Sequence, residues 1–176
     1  VLAPKGGITV QINAFNFPVW GLLEKFAPAF LAGVPTLAKP ATPTAHVAEA
    51  LVRTMLESGL LPEGSLQLLV GSVGDLFDAL DHRDSVFFTG SKATADRLRR
   101  HPAFLERGAL FNAEADSLNP AILGEKATEE ELSRLAQEIA QELVIKTGQR
   151  CTAIRRVFAP KDRLEALLKA TQKRLE

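Results

Sequence analysis

Cys151, in the stretch TGQRCTAIRRV, is the only cysteine in the chain, and its thiolate is the strongest nucleophile the sequence can offer. Read in isolation, a free cysteine is first a small buried hydrophobe. The alternative is an activated thiolate that attacks an electrophilic carbon. Two other residues could take part in such chemistry: the isolated Glu114 in FNAEADSLNP and Asn16 in AFNFP. Alone, Glu114 reads as a solvated loop carboxylate and Asn16 as the cap of a helix starting at Pro18. His46, His82 and His101 lie in polar or helical contexts, and none has a motif tying it to Cys151. Arg155 and Arg156 read as strand and surface charges. No second cysteine or nearby histidine stands at zinc-ligand spacing, so no metal site is expected. A lone cysteine forms no internal disulfide and points to a reducing compartment, hence the cytoplasm.

The elements that must hold these residues follow from hydrophobic periodicity. ITVQINAF, VPTLAK, LQLLV, SVFFT, ALFNA, PAIL and TAIRRVFA read as strands. Trp20 to Leu31 carries apolar residues at helical spacing. A second helix follows Lys39, with Thr42 as its cap, Pro43 in the first helical position and Gly59 as its stop. Shorter helical segments follow Gly74 and Ser91. The clearest helix starts at Thr128, which forms a capping box with Glu131; Leu132, Leu135, Ile139, Leu143 and Val144 make one stripe expected to pack in the core. A polar-faced helix follows Pro160. Strand and helix alternate, so the expected fold class is α/β, a mostly parallel Rossmann-like sheet with helices on both faces.

In such a sheet, ligands bind beyond the carboxyl ends of the strands. The unusual loops fall there: AFNFP, AKPATPT, VGSVG and FTGSK. The last three open helices, where unpaired N–H groups and the helix dipole favour an anion, and three in one sheet favour a nucleotide. The fingerprint G-x-G-x-x-G is absent; Gly71 and Gly74 in GSVG come nearest, so a standard Rossmann dehydrogenase is not expected. Hydrophobic residues make up 46% of the chain, enough for a substantial core. Lys plus Arg and Asp plus Glu balance at 21 each, which gives no field to draw in nucleic acid or an anionic membrane. No apolar run reaches the roughly 18 residues of a transmembrane helix. The chain starts at Val1 without a methionine and stops within the helical pattern RLEALLKATQKRLE, so an internal piece of a longer protein is expected.

Taken in order, NAFNFPVWG, LAKPAT, FFTGSK, FNAEADSLNP and GQRCTA resemble the aldehyde dehydrogenase superfamily over nearly the whole chain. The resemblance implies a cofactor domain over residues 1–113, with an unusual dinucleotide-binding mode, and the start of the catalytic domain over residues 114–176. It implies that Cys151 is the nucleophile, that the Asn16 amide and the Cys151 N–H bind the oxyanion, and that Glu114 activates the hydrolytic water. Lys39 would reach the adenosine ribose, Gly90 and Ser91 would face a phosphate, and Gly71 and Gly74 would let the chain pass close to the dinucleotide. Thr42 stands where NAD-preferring members carry glutamate, so the expected cofactor is NADP, with NAD as the alternative. Ala115, Asp116 and Ser117 replace the Leu-Gly-Gly that commonly follows the glutamate. EADSLNPAILG with GQRCTAIRR resembles the branch that oxidises CoA-linked semialdehydes in phenylacetate and benzoyl-CoA breakdown. The implied activity is NAD(P)-dependent oxidation of a small, CoA-linked aldehyde to the acid, by a homo-oligomer when full-length, with neither nucleic acid nor membrane as partner. The 176 residues alone are expected to be inactive. The competing reading is a nucleotide- or CoA-binding module in which Cys151 is structural.

Overall fold

The computed structural model describes residues 5–176. Cα packing divides the chain into two compact units, one ending at Ala115 and the other spanning Asp116–Glu176. The first is built on β1 (Thr9–Ile12), β2 (Thr36–Lys39), β3 (Leu66–Leu68), β4 (Ser85–Gly90) and β5 (Leu110–Ala115). All pairings are parallel and the spatial order is β3-β2-β1-β4-β5, so the direction of winding reverses at β1. Four helices accompany the strands: α1 (Trp20–Leu31), α2 (Ala45–Glu57), α3 (Lys92–Arg99) and α4 (Pro102–Leu105).

Every residue of β1 is buried, as expected of a parallel strand covered on both faces. Alternation along the strands then sorts the helices. Leu22 and Phe26 of α1 and Ala48 and Val52 of α2 pack on the face carrying Ala38 and Leu66. Val10, Ile12, Val86 and Phe88 point to the other face, where they meet Phe77, Leu80, Ala95 and Ala103. The α/β class, with a parallel sheet and helices on both faces, is what the residue pattern predicts.

The second helix begins differently from expectation. A 3-10 turn, Thr42–Thr44, precedes α2; its N-cap is Ala41, and α2 itself follows Thr44. The turn closes one residue early, with the Thr44 N–H donating to the Ala41 carbonyl at 3.2 Å, so Thr42 lies inside it and caps nothing. Nor is Asn16 a cap: Val19 occupies that position for α1. Helix α4 has no apolar periodicity to announce it. It is started by His101, whose Nδ1 accepts the Ala103 N–H at 3.2 Å, and by Pro102 behind it.

The second unit comprises β6 (Asn119–Ile122), α5 (Glu129–Val144), β7 (Ile154–Phe158) and α6 (Leu164–Gln172), with β6 and β7 paired in parallel. The capping box that begins α5 is complete: Thr128 N–H donates to Glu131 Oε2 at 2.7 Å and Glu131 N–H to Thr128 Oγ1 at 3.2 Å. Leu132, Ala136 and Leu167 are buried together, with Leu135 and Ile139 packed against them. Leu143 and Val144, expected in the core, are 50% and 66% exposed, because the packed cluster reaches Ile139 and goes no further along α5. Among the described residues, no helix is long and apolar enough to cross a membrane.

Candidate active site

In the first unit, the carboxyl edge of the sheet gathers most of the residues that the sequence singled out. Asn16 lies in the loop after β1, Lys39 ends β2, Thr42 opens the turn beyond it, Gly71 and Gly74 follow β3, and Gly90 and Ser91 join β4 to α3. The loops are tied to one another: Thr44 Oγ1 donates to the Phe15 carbonyl at 3.2 Å, linking the segment of Asn16 to that of Thr42. Gly71 and Gly74 have φ of 113° and 53°, backbone that residues with a Cβ rarely adopt. At Gly90 the constraint is space, since a Cβ there would lie 2.5 Å from the Phe88 ring. Ser91 is the N-cap of α3 and accepts the Thr94 N–H at 3.3 Å.

The same edge holds two groups that the sequence did not flag. Asn13, immediately past β1, is 5% exposed and neither of its amide atoms has a hydrogen-bond partner among the described residues; the Thr89 hydroxyl on β4 is likewise buried and unpaired. Orphaned buried polar atoms are costly in a folded chain and mark places where a ligand or water completes the structure. Both flank the reversal at β1, where open α/β sheets bind their ligands. The edge therefore offers a cation at Lys39, hydroxyls at Thr42, Thr89 and Ser91, an amide at Asn13, and glycine backbone free for close approach. That donor set suits a phosphorylated dinucleotide. The sequence signal was available in the INAFN and FTGSK runs, but burial without a partner is visible only in three dimensions.

Glu114 is not the loop carboxylate that its isolation suggests. The β4–β5 ladder runs on to Gly90 and Ala115, and Glu114 is the register partner of Thr89. Register partners share a face of a parallel sheet, so Glu114 stands beside Thr89 near the carboxyl edge, with its residue exposed. The backbone that follows turns left-handed at Asp116, φ 41°. This is where glycine is replaced in the pattern after the glutamate, and aspartate is one of the few residues with a Cβ that tolerates such a conformation.

Cys151 belongs to the second unit and is exposed. Core packing, the default reading for a free cysteine, does not describe it. Three consecutive left-handed residues lead into its loop: Lys146 (φ 51°), Thr147 (φ 56°) and Gly148 (φ 69°). For a β-branched residue such as Thr147 this is a strained conformation, which persists only where neighbouring contacts enforce it. Two turn bonds shape the loop, Gln149 N–H to the Lys146 carbonyl at 3.0 Å and Ala153 N–H to the Arg150 carbonyl at 3.2 Å, and side chains hold it from outside. Arg155 Nη2 donates to the Gly148 carbonyl at 2.7 Å and the Arg150 carbonyl at 3.3 Å, and Arg150 Nη1 pairs with Glu142 Oε1 at 3.1 Å. Asn119 Nδ2 donates to the Cys151 carbonyl at 2.6 Å and the Ala153 carbonyl at 3.1 Å; Ser117 Oγ also donates to the Cys151 carbonyl. Arg155, which reads in the sequence as a strand charge, is thus turned back onto the backbone around the cysteine.

The chain is 49% identical, over 176 residues, to the 3,4-dehydroadipyl-CoA semialdehyde dehydrogenase of Aromatoleum evansii, covering 99% of this chain and 34% of that protein. It is 34% identical over 157 residues to the N-succinylglutamate 5-semialdehyde dehydrogenase of Pseudomonas fluorescens, covering 88% of this chain and 31% of that one. The chain thus spans about a third of the length of these relatives. Its fold matches the structure of a P. syringae AldA indole-3-acetaldehyde dehydrogenase mutant in complex with NAD+ and IAA, with a TM-score of 0.85 at 24% identity over 98% of this chain and 34% of that one. The family profile described as "Aldehyde dehydrogenase family" matches residues 1–176, and it accounts for the motifs of both units at once: the chain belongs to the aldehyde dehydrogenase family.

Proposed function

We propose that the protein carrying this chain oxidises a CoA-linked semialdehyde to the carboxylic acid in aromatic-compound catabolism, with NADP as the oxidant. Residues 1–113 form most of the dinucleotide-binding domain and residues 114–176 begin the catalytic domain. The observation that carries the reading is the setting of Cys151: exposed, and presented on a strained loop whose carbonyls are held by side chains of β6, β7 and the segment before them. A thiol kept for packing needs none of this. The substrate class is supported by the names of the two relatives, both semialdehyde dehydrogenases and one of them CoA-linked.

Each residue then has a task. The Cys151 thiolate adds to the aldehyde carbon, forming a C–S bond and an alkoxide. The Asn16 side-chain amide and the Cys151 N–H donate to that alkoxide, and such donors matter because they are aimed where charge develops. When bound, the dinucleotide supplies the hydride acceptor that lets the alkoxide collapse to a thioester. Glu114 takes a proton from water, which attacks the thioester carbon; the C–S bond breaks, and the acid and the thiolate are released. Lys39 and Thr42 meet the adenosine ribose and a 2′-phosphate, while Gly71, Gly74, Gly90 and Ser91 receive the rest of the dinucleotide through backbone N–H groups and the start of α3. A free reactive thiol suits a reducing cytoplasm.

The direct test is Cys151→Ser in the full-length protein. NADP-dependent oxidation of a CoA-linked semialdehyde is expected to fall by at least ~1,000-fold, the order seen when a covalent nucleophile is removed. Turnover within a few-fold of the parent refutes the assignment.

A further inference from the structure

We infer that Asn119 and Arg155 are positioning residues for the nucleophile, acting as a two-sided clamp on the peptide planes that flank Cys151. The inference rests on the reading of Cys151 as the nucleophile. The peptide before Cys151 is held through the Arg150 carbonyl, which accepts from the Ala153 N–H at 3.2 Å and from Arg155 Nη2 at 3.3 Å, and the same guanidinium nitrogen holds Gly148 O at 2.7 Å. The peptide after it is held through the Cys151 carbonyl, which accepts from Asn119 Nδ2 at 2.6 Å and from Ser117 Oγ. Asn119 spans onward to Ala153 O at 3.1 Å.

A peptide unit is planar and trans, so its C=O and N–H point in opposite directions. Anchoring Arg150 O on Arg155 and on the Ala153 N–H therefore aims the Cys151 N–H away from β7, and among the described residues that N–H donates to no backbone carbonyl. It is left free to meet the developing alkoxide. A cationic donor on the carbonyl also polarises the peptide, which strengthens the N–H as a donor. Fixing the planes on both sides of one residue fixes its φ and ψ, and with them the direction in which Cβ and Sγ leave the backbone. A single turn bond, Ala153 N–H to the Arg150 carbonyl at 3.2 Å, closes over Cys151 between the 3-10 turn Ile145–Gly148 and the start of β7 at Ile154, and the two side chains hold that turn from outside. The clamp also offsets the strain of the left-handed run at Lys146, Thr147 and Gly148.

The test uses Asn119→Asp, which keeps the shape and removes the donors, and Arg155→Met, with Asn119→Gln and Arg155→Lys as conservative partners, all in the full-length protein. Two quantities are read. One is the pre-steady-state burst of reduced dinucleotide, whose amplitude counts working sites and whose rate constant reports the chemistry at each. The other is the rate of Cys151 alkylation by iodoacetamide without dinucleotide. The burst rate constant is expected to fall about 10- to 100-fold in Asn119→Asp and Arg155→Met, the order that a misplacement of about 1 Å costs. The alkylation rate changes with it, the KM for dinucleotide stays within about twofold, and Arg155→Lys recovers part of the loss, having one donor group in place of a fork. A lower amplitude or melting temperature with an unchanged rate constant per working site overturns the clamp and leaves the two residues as structural supports. If Asn119→Asp does not fold, the rate constant of Arg155→Met decides alone. Cys151→Ser, run in parallel, separates the two ideas. An active Cys151→Ser refutes the nucleophile itself; an inactive one, beside clamp variants at the parental rate, refutes only the clamp.

Discussion

Thr42 is exposed and opens the 3-10 turn that follows Lys39 and β2, so a side chain placed there faces whatever occupies that end of the sheet. On the proposed function, the threonine hydroxyl and the Lys39 ammonium would donate to a 2′-phosphate, whereas a glutamate would repel it and bond the ribose hydroxyl of NAD. Thr42→Glu is therefore expected to lower the ratio of kcat/KM for NADP to that for NAD by at least ~10-fold, since bringing like charges together costs several kcal/mol. An unchanged ratio, measured with both dinucleotides, removes Thr42 from the cofactor site. Of the single residues, Cys151, Glu114 and Asn16 could be proposed from the sequence because they sit in ordered motifs. Asn119 and Arg155 could not, because their hydrogen bonds join residues 32 and 7 positions apart through a loop whose path no propensity dictates. Asn13 and Thr89 escaped for a related reason: their environment is set by three neighbouring strands.

Helix α5 shows where local sequence is enough. Three acidic residues, Glu129, Glu130 and Glu131, occupy its first turn, favourable beside the helix N-terminus, and Thr128 caps it. Thr128→Ala is expected to cost about 1 kcal/mol in denaturant unfolding. The Thr128 backbone N–H, and then its hydroxyl, hold the Glu131 carboxyl below the usual carboxylate range. A carboxyl whose pKa is lower folded than unfolded stabilises the fold fully above its unfolded pKa and loses that contribution as pH falls through its folded one. Stability should thus decline on acidification through the carboxylate range, and Glu131→Gln should flatten part of that decline; parallel curves for variant and parent contradict this. The predicted elements that held were those with a repeating pattern or a cap, such as α1, α5 and the seven strands. Those that shifted, the early 3-10 turn at Thr42–Thr44 and the exposed end of α5 at Leu143 and Val144, and the one not predicted, the short α4 started by His101, depended on a turn type or a partner.

On the proposed function the two compact units share the chemistry: the carboxyl edge of the five-stranded sheet takes the dinucleotide and supplies Asn16 and Glu114, and the loop before β7 supplies the Cys151 thiol. Hydrogen exchange in the full-length protein should therefore show NADP protecting the segments around residues 39–44, 71–74 and 89–94, while helices α5 and α6 keep their rates. Protection concentrated in α5 and α6 contradicts the division. The alternation of strand and helix made the class legible from the sequence, while no change in composition marks the break between Ala115 and Asp116, and only the family resemblance suggested a division, after residue 113. The most direct measurement is to mix the full-length protein with NADP and a CoA-linked semialdehyde, quench in acid within the first turnover, and analyse the peptide containing Cys151 by mass spectrometry. A thioester on Cys151, two hydrogens lighter than a simple aldehyde adduct and formed only when NADP is present, is the predicted result. Aldehyde oxidation that proceeds while that peptide remains unmodified at every quench time would contradict it.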